Sequence, residues 1–431
     1  MAHSRFSCLD DWLTWQATLH PKAIDMSLER IRTVAGRLDL LSRRAWTFTV
    51  AGTNGKGSSI AYAEAMLRSA GLRVGTYTSP HLLHYCERIC IDGRMVDEAS
   101  VIRAFEAIDL ARGNVSLTYF EFGTLAARWL FAETGVDVEL LEVGLGGRLD
   151  SVNIFEPDAC LITSVGLDHC EWLGSDREMI GREKAGIMRT EVPVVFAGPD
   201  IPDSVRRHAA EVGAALMVAG EHYRTGDDDN GTWWYEDDRG RMEGLVPPPL
   251  PGNVQRANAA GVFRALRGLP GFTPSAGLWN RSVSTIRLAG RLQRLSGSPA
   301  WWLDVAHNAD SAAVLADSLQ RRQTAGRRVA CLAMMRRKDP AVVLAPLADL
   351  FDGWYLLALP EAEAWTPDEL GSYLPPGSVL GSGPPEQLFR EIGQILGPVD
   401  ELVVFGSFRT VEEAMRFRGV DSLHGAVQHE R

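Results

Sequence analysis

The stretch Thr47-Phe-Thr-Val-Ala-Gly-Thr-Asn-Gly-Lys-Gly-Ser-Ser59 decides how the first part of this chain folds. The run from Thr47 to Ala51 predicts a short buried strand, and a helix is expected from about Ser58 to Ala70. The glycine-rich turn between them would point backbone N–H groups and a helix N-terminus at one spot, which suits a phosphate chain. Lys56 adds a mobile cation, and Ser58 offers a hydroxyl to a phosphate-bound Mg²⁺.

The spacing of this turn differs from that of the common P-loop. Two residues separate Gly52 from Gly55, and Gly57 stands between Lys56 and Ser58. A tight strand-to-helix turn with an incidental lysine is therefore the alternative to a nucleotide site. We expect a bound nucleoside triphosphate. The residues expected to bind it are Gly52, Thr53, Asn54, Gly55, Lys56, Gly57 and Ser58.

Length and composition limit the class of protein. A chain of 431 residues should form two or three domains, and 45% hydrophobic with 23% charged residues is typical of globular proteins. The net charge of −11 argues against a nucleic-acid or membrane surface. No apolar run reaches the ~18–20 residues of a membrane span. Scattered cysteines, with only Cys86 and Cys90 close together, favour packing residues in the cytoplasm over a zinc site.

Strands alternate with helices along the chain, which indicates an α/β fold with a P-loop, doubly wound, mostly parallel sheet. Two helices are expected over residues 9–40, and a β-hairpin with acidic loops over 222–250. A second, smaller Rossmann-like α/β domain should begin near residue 287, with a helix at 340–350. In the first domain, residues 74–80 are expected to form a strand followed by a turn, and further strands are expected at 136–143, 159–165 and 192–196.

Polar residues follow several of these strands, where parallel sheets bind ligands. The turns 52–58, 78–81 and 144–153 should therefore converge on one crevice. Glu142 ends a strand, where burying its carboxylate requires a partner such as a metal; a solvated glutamate is the alternative. With Ser79 and His169 it would form a Mg²⁺ site, although a lone histidine is more often a packing residue.

The segments described so far, together with others, resemble the folylpolyglutamate synthase/dihydrofolate synthase family of the Mur ligase superfamily. The resemblance runs nearly end to end, from His20–Arg30 to Gly406–Val411. The matching motifs between them are Gly52–Ser58, Thr78–Leu82, Leu117–Gly123, Glu142–Asn153, Leu167–His169, Arg182–Gly186, Asn258–Ala260, Gly290–Gln293 and Leu303–Asn308.

The resemblance implies a bifunctional ligase with ATP and Mg²⁺ as cofactors. It would add L-glutamate to dihydropteroate, giving dihydrofolate, and to the γ-carboxyl of reduced folates, through an acyl phosphate. An ATP-binding domain with the pterin site is expected over residues 1–286, and a C-terminal Mur ligase-like domain over 287–431, with Arg291 and Asp304 reaching across the boundary. A monomer without nucleic-acid or membrane partners is the default.

The resemblance also implies roles for individual residues. Ser79, Glu142 and His169 would be ligands of Mg²⁺. Lys184, which taken alone would be a surface lysine paired with a carboxylate, is implied to be carbamylated. The catalytic residues implied are Lys56, Lys184 and His169. Substrate contacts are implied, for ATP, at Asn258, Arg291, Asp304 and His307, and, for the pterin, at Phe122, Asp150, Thr118 and Glu121.

Two alternatives and one departure from the family pattern accompany this interpretation. A monofunctional folylpolyglutamate synthase would lack the first activity. A P-loop switch or motor would hydrolyse nucleotide only, and should show an Asn-Lys-x-Asp segment, which this sequence lacks. In Met335-Arg-Arg-Lys-Asp339, Arg337 stands where the family usually has an aspartate, so no glutamate-binding role is carried over to this loop.

Overall fold

The computed structural model describes residues 5–420. The chain divides into two compact units. The first comprises the residues up to Gly166, Cys170–Pro247 and Arg256–Ile286, and the second comprises Leu167–His169, Pro248–Gln255 and the residues from Arg287 onward. The predicted assignment of functions to residues 1–286 and 287–431 stays a prediction.

The first part of the chain alternates strands and helices, as the sequence predicts. Its elements in chain order are α1 (Leu9–Leu19), α2 (Glu29–Arg37), β1 (Trp46–Ala51), α3 (Lys56–Ser69), β2 (Val74–Tyr77), β3 (Ile89–Ile91), β4 (Arg94–Met95), α4 (Glu98–Arg112), α5 (Tyr119–Thr134), β5 (Val138–Glu142), β6 (Ala159–Ile162), α6 (Cys170–Leu173), α7 (Arg177–Ala185), β7 (Pro193–Phe196), α8 (Asp203–Val212), β8 (Ala215–Val218), β9 (Tyr223–Asp227), β10 (Trp233–Asp237), β11 (Gly240–Leu245), α9 (Val254–Leu266) and α10 (Ala276–Ser282).

The main sheet of this unit has eight strands in the order β4-β3-β2-β5-β1-β6-β7-β8. Strands β2, β5, β1, β6, β7 and β8 pair in parallel, and β3 and β4 form an antiparallel edge. The central strands β5 and β6 are buried along their whole length, as expected for a parallel sheet covered on both faces. The predicted doubly wound, mostly parallel sheet is confirmed, with β1 and its glycine-rich turn at its centre.

The predicted hairpin at 222–250 is a three-stranded antiparallel sheet, in the order β11-β10-β9. Trp233 is buried and stacks on Phe263 of α9, with ring centroids 5.7 Å apart and an interplanar angle of 9°. The aromatic residues therefore pack the sheet on the helix. The third strand was missed because β11 is mostly exposed and shows no apolar alternation.

The second unit contains a six-stranded sheet that is parallel except for its first strand; the spatial order is β12 (Gln293–Leu295), β13 (Ala300–Leu303), β17 (Glu401–Phe405), β14 (Arg328–Leu332), β15 (Gly353–Leu357) and β16 (Val379–Gly383). The predicted helix at 340–350 ends early, at Leu344, and a 3₁₀ turn occupies Ala348–Leu350. Pro346 explains the break, because proline lacks an N–H and disfavours helix in the residue before it. The helices that follow these strands are α11 (Ala309–Gln320), α12 (Pro340–Leu344), α13 (Pro367–Gly371), α14 (Pro385–Ile395) and α15 (Phe408–Phe417).

A buried ion pair ties α5 to the main sheet of the first unit. Arg128 on α5 and Glu139 on β5 are 3% and 1% exposed, and their side chains pair directly. Arg128 also donates hydrogen bonds to the carbonyl oxygens of Leu40 (3.2 Å) and Ser42 (3.0 Å), in the segment that leads into β1. One guanidinium therefore connects a helix, a strand and the segment that leads into β1 and its glycine-rich turn.

Replacing Arg128 by methionine should lower the free energy of unfolding by roughly 3–5 kcal/mol, because Glu139 would stay buried without its cation. Urea unfolding measures this change. The control is Arg44→Met, which removes an exposed pair with Asp39 and should cost below about 1 kcal/mol. Equal effects of the two substitutions would contradict the structural role of the buried pair.

Within residues 5–420, no helix is both long enough and apolar enough to cross a membrane.

Candidate functional site

The glycine-rich turn joins β1 to α3, as predicted, although α3 begins at Lys56, two residues earlier than expected. Gly55 precedes the helix with a left-handed φ of +88°. The ammonium of Lys56 donates to the carbonyl oxygens of Gly52 (3.0 Å) and Thr53 (3.3 Å), so it lies at the mouth of its own turn. A cation and the N-terminus of a 14-residue helix thus stand together at the end of a central strand.

A second segment, Thr163–Gly166 after β6, holds this turn in place. The backbone N–H groups of Thr53 and Asn54 donate to the carbonyl oxygen (2.9 Å) and hydroxyl (3.1 Å) of Ser164. The hydroxyl of Thr163 donates to the carbonyl oxygen of Asn54 at 2.6 Å, and the Gly166 N–H donates to the Thr53 hydroxyl at 3.0 Å. Sequence reasoning missed this support, whose only signal is two hydroxyl residues following an apolar strand.

Close contacts around the turn explain two of its glycines. Gly52 has φ +148°, and a Cβ there would overlap the side chain of Thr163. At Gly55 a Cβ would lie 2.8 Å from both polar side-chain atoms of Asn258 on α9. The structure therefore brings Asn258, one of the residues expected to bind ATP, against the turn.

Gly55→Ala should raise the KM for ATP by about tenfold or more, because the left-handed backbone costs about 1–3 kcal/mol and the new methyl group displaces Asn258. Steady-state kinetics with varied ATP measures this. Gly135→Ala is the matched control, since Gly135 has φ +62° but open space around it. Gly135→Ala therefore introduces backbone strain without a new side-chain contact. An equal rise in KM for ATP in both variants would contradict a role for the contact with Asn258.

Ser79 and Glu142 lie side by side at the ends of neighbouring strands. Strands β2 and β5 pair in parallel up to Tyr77 and Leu141, and the Ser79 N–H donates to the Glu142 carboxylate at 3.1 Å. Glu142 is 5% exposed, so the alternative of a solvated strand-end glutamate is wrong. A buried carboxylate beside a hydroxyl is an oxygen-rich set that fits Mg²⁺.

His169, the third expected ligand, clusters with the second unit. Its φ is +54°, and its N–H donates to the Asp168 carboxylate at 2.8 Å. In the described part of the chain, no three His, Cys, Asp or Glu side chains form a metal-binding group. The expected set contains only two residues of these types, because its third member is a serine, and ligation by His169 stays a prediction.

The loop 144–153 packs on the end of α7, which carries Lys184. The Arg148 N–H donates to the Glu183 carbonyl oxygen (2.8 Å), and the Asn153 amide donates to the Gly186 carbonyl oxygen (3.0 Å). A Cβ on Gly147 would lie 2.9 Å from the carbonyl oxygens of Glu183 and Lys184. The glycine thus permits close packing. Lys184 is 3% exposed, so the alternative of a surface lysine is wrong.

Asp150 organises the same loop from within. Its carboxylate accepts the N–H groups of Leu145 (2.8 Å) and Val152 (3.0 Å). Burial raises its pKa to about 6, although these N–H groups and the positive charge of Lys56 partly oppose the shift. Lys56 is thus close enough to act on the charge of Asp150. The loop 144–153, called the glycine loop below, and the glycine-rich turn are therefore electrostatic neighbours.

Unfolding at different pH values should reveal the buried carboxyl of Asp150. The folded protein holds a proton there up to about pH 6, whereas the unfolded chain releases it near the ordinary pKa of 3.8. Stability should therefore fall as pH rises through this window, by up to about 3 kcal/mol. Asp150→Asn should lose this part of the pH dependence in urea unfolding, and an unchanged slope would contradict the assignment. Some pH dependence should remain in Asp150→Asn, because the pKa of Asp304 is also raised to about 6.

Thr118 and Glu121, expected at the pterin site, form the N-terminal cap of α5. The Thr118 N–H donates to the Glu121 carboxylate (2.7 Å), and the Glu121 N–H donates to the Thr118 hydroxyl (3.2 Å). Burial raises the pKa of Glu121, and the pairing with Arg30 at 3.1 Å partly offsets this. Arg30 also pairs with Asp25 at 3.1 Å. Arg30, at the start of α2, thus links Asp25 to the cap of α5. Contact of Thr118 and Glu121 with substrate stays a prediction.

The phenylalanine expected near the pteridine, Phe122, lies in the core. It is 0% exposed and packs edge-on against Phe105 (5.6 Å) and Trp15 (5.9 Å). Phe120, two residues earlier, is half-buried, and its ring lies where a Cβ on Gly144 would stand. Phe120 is therefore the phenylalanine of α5 that faces the glycine loop. Sequence reasoning missed it because helical spacing alone does not show which side faces that loop.

In the second unit, Asp304 builds the turn that carries Arg291. Its carboxylate accepts the N–H groups of Leu292 and Ala306, both at 2.8 Å. Burial raises its pKa to about 6 despite the charge of Arg291. The Arg291 guanidinium lies 5.9 Å from the ring of Phe408, which sequence reasoning did not single out. Asp304 thus positions the turn from inside, and its predicted contact with ATP is untested.

His307 and Lys338 surround Asp168 in the same unit. Lys338 pairs directly with the Asp168 carboxylate, the Asn308 amide donates to it at 3.0 Å, and the His307 imidazole Nε2 lies 3.7 Å away. Burial alone would raise the pKa of Asp168, but His307 and Lys338 hold it well below its usual value. Lys338 is a residue of this site that sequence reasoning missed. Lys338 is buried, and it is the residue next to Arg337, where the sequence departs from the family pattern.

Comparisons with known proteins identify the family. Residues 290–408 match the model of the Mur ligase, glutamate ligase domain. The chain is 40% identical over 409 residues to the dihydrofolate synthase/folylpolyglutamate synthase of Escherichia coli K12, covering 95% of each chain. The chain belongs to the dihydrofolate synthase/folylpolyglutamate synthase family. Its members are ATP-dependent ligases, which confirms the resemblance and the predicted class of enzyme.

Solved structures of the family agree with this fold over nearly its whole length. Escherichia coli FolC in complex with DHPP and ADP aligns with a TM-score of 0.91 at 39% identity, covering 97% of this chain and 99% of that one. A bifunctional folylpolyglutamate synthase/dihydrofolate synthase with Mn, AMPPNP and L-glutamate bound aligns with a TM-score of 0.89 at 39% identity, covering 97% and 100%. The predicted use of ATP with a divalent metal is confirmed at the level of the family.

Proposed function

We propose that this chain adds L-glutamate to dihydropteroate, forming dihydrofolate, and then to the γ-carboxyl of reduced folates. The observation that carries the proposal is 40% identity over 95% of the chain to a bifunctional family member. The geometry supports it, because the phosphate-binding turn, the buried Glu142 and the glycine loop occupy the ends of neighbouring strands. A P-loop switch loses support, since the chain matches a glutamate ligase domain.

Forming an amide from a carboxylate and an amine is unfavourable in water, so ATP must activate the acid. The substrate carboxylate attacks the γ-phosphate of ATP, giving an acyl phosphate and ADP. The amine of L-glutamate then attacks the acyl carbon, phosphate leaves, and the nitrogen loses a proton. Lys56 and the N–H groups at the N-terminus of α3 stabilise the charge on the transferred phosphoryl oxygens. The contacts from Thr163–Gly166 keep these groups oriented before ATP binds.

The metal of the proposed site is Mg²⁺, held by Ser79, Glu142 and His169. When bound, it would neutralise charge on the phosphates and orient them for transfer. Glu142 contributes a carboxylate that is already buried and oriented by the Ser79 N–H. Because this carboxylate is already ordered, binding the metal costs little conformational entropy.

Lys184 is proposed to carry a carbamate. The ammonium first loses a proton, and the neutral amine then adds to CO₂ and releases a second proton, so that a cation becomes a carboxylate. Lys184 is 3% exposed and lies on α7, beside the loop 144–153. The closely packed glycine loop around α7 would hold the new carboxylate in one orientation.

The substrate residues and the domain roles belong to the same proposal. ATP is assigned to the glycine-rich turn with Asn258, Arg291, Asp304 and His307, and the pterin to Thr118, Glu121, Phe122 and Asp150. Residues 1–286 would form the ATP- and pterin-binding domain, and residues 287–431 the Mur ligase-like domain. We further propose a cytoplasmic monomer, for which the sequence supplies the default.

The function is tested by measuring ADP release with ATP, Mg²⁺ and L-glutamate, adding dihydropteroate or a reduced folate in parallel. We expect release with either pterin and none without L-glutamate. Turnover of the reduced folate alone would leave a monofunctional folylpolyglutamate synthase. ADP release that depends on neither pterin would contradict the ligase proposal.

A further inference from the structure

Arg88 lies at the end of the loop that carries Ser79. A 3₁₀ helix, Tyr85–Arg88, leads from this loop into β3. The Arg88 carbonyl oxygen accepts the N–H of Thr78 at 2.9 Å, so the backbone of Arg88 lies beside the residue that precedes Ser79. The backbone of the arginine is therefore fixed close to the proposed metal and phosphate site, and the residue takes no part in the mechanism proposed above.

The guanidinium of Arg88 is surrounded by neutral groups. Its Nε donates to the Nδ1 atom of His81 at 2.8 Å. Its central carbon lies 5.5 Å from the ring centroid of Tyr85 and 5.4 Å from that of Tyr119. Burial raises the pKa of both tyrosines, so their phenol groups stay protonated at neutral pH. Aromatic faces and an imidazole thus hold the cation without neutralising it.

No aspartate or glutamate among residues 5–420 forms an ion pair with Arg88, although the side chain is half-buried. The adjacent acid, Glu87, is engaged elsewhere. Its carboxylate accepts the backbone N–H groups of Leu82 (2.7 Å), Leu83 (2.8 Å) and His84 (2.8 Å). Buried charges are normally paired, and other buried arginines here follow that rule, such as Arg128 with Glu139. Arg88 departs from it.

A carboxylate of the substrate would supply the missing partner. The planar fork of a guanidinium matches a carboxylate with two parallel hydrogen bonds, and this pairing is among the strongest that side chains make. The Nε of Arg88 is occupied by His81, which leaves its two terminal NH₂ groups for a ligand. The rings of Tyr85 and Tyr119 lie against the guanidinium and restrict the movement of the side chain.

We propose that Arg88 binds a carboxylate of the reactants that is not itself activated. The inference rests on the proposed function, in which both reactants carry such groups: L-glutamate has two carboxylates beside its amine, and a folate keeps its α-carboxylate. Bound by Arg88 near Ser79, this group would orient its reactant next to the phosphoryl transfer. Arg88 would then decide which acids and amino acids are accepted.

The test compares Arg88→Gln and Arg88→Lys with the native enzyme. KM is measured separately for L-glutamate, dihydropteroate, a reduced folate and ATP. We expect Arg88→Gln to raise the KM for the reactant it binds by about 10–100-fold, because a hydrogen bond to a charged group is lost. Arg88→Lys keeps the charge but lacks the fork, and should give a smaller rise. The matched control is Arg94→Gln, at an exposed arginine on β4, with unchanged constants.

The pattern of constants identifies the carboxylate. A rise confined to L-glutamate assigns Arg88 to the amino acid, and a rise confined to the reduced folate assigns it to the folate tail. Unchanged KM for both, or an equal rise for ATP, would overturn the proposal, and thermal unfolding of each variant shows that it is folded. Turnover by the native enzyme tests the proposed function alone. The ratio of KM values between the variants and the native enzyme tests whether Arg88 binds a carboxylate.

Discussion

Lys56→Ala should lower kcat by about a hundredfold to a thousandfold, the loss typical when one charged donor to a developing negative charge is removed. The ammonium of Lys56 stands at the mouth of the phosphate-binding turn, 3.0 Å from the carbonyl oxygen of Gly52. It would turn toward the transferred phosphoryl group, where charge is spread over the oxygens in the transition state. Single-turnover kinetics with saturating ATP measures this step directly.

Two controls accompany the Lys56 substitution. Lys56→Arg keeps the charge but changes its geometry, and should recover only part of the rate. Arg103→Ala removes an exposed cation on α4, whose guanidinium donates to the hydroxyl of Ser100 at 2.9 Å, and should leave kcat unchanged. A Lys56→Ala enzyme with native kcat would show that the turn is structural only.

Lys184→Ala should lower activity by about a hundredfold or more, since it removes a carboxylate proposed to lie in the reacting site. Lys184→Arg should be similarly inactive, because a guanidinium keeps the positive charge and cannot take up CO₂. Short carboxylic acids such as formate should restore part of the activity of Lys184→Ala by entering the space left by the side chain. Activity measurements with and without added formate test this.

The modification itself can be observed on the native protein. Lys22, Lys56, Lys184 and Lys338 are the lysines of the sequence, so a mass increase of one CO₂ has few possible positions. Native-state mass spectrometry should locate it on Lys184, and exhaustive removal of CO₂ should lower the activity. Full activity in Lys184→Arg would contradict the carbamate, whatever the mass shows.

The sequence predicts the sheet and the phosphate-binding turn well because both depend on local pattern. Short apolar runs such as Ala159–Ile162 are typical of buried strands, and Gly52 and Gly55 mark backbone conformations that other residues avoid. The expected pairing of Ser79 with Glu142 follows from the same logic, since ends of neighbouring parallel strands meet.

Features that depend on distant contacts could not be predicted in this way. Thr163–Gly166 supports the turn from more than a hundred residues away in sequence, and nothing local to either segment indicates the match. Helical spacing placed Phe122 and Phe120 on the same helix, but burial alone distinguishes the core residue from the one facing Gly144. Arg88 is a similar case, because its neighbours are His81, Tyr85 and Tyr119, and no carboxylate within residues 5–420 pairs with it. A lone arginine in the sequence does not show this.

The measurement that tests the central claim most directly follows oxygen from the substrate. Dihydropteroate is labelled with heavy oxygen in its carboxylate and turned over with ATP and L-glutamate, and the released phosphate is analysed by mass spectrometry. An acyl phosphate predicts one heavy oxygen in phosphate for each amide formed, because the attacking carboxylate oxygen leaves with the phosphoryl group. Unlabelled phosphate accompanying amide formation would contradict activation of the carboxylate by ATP.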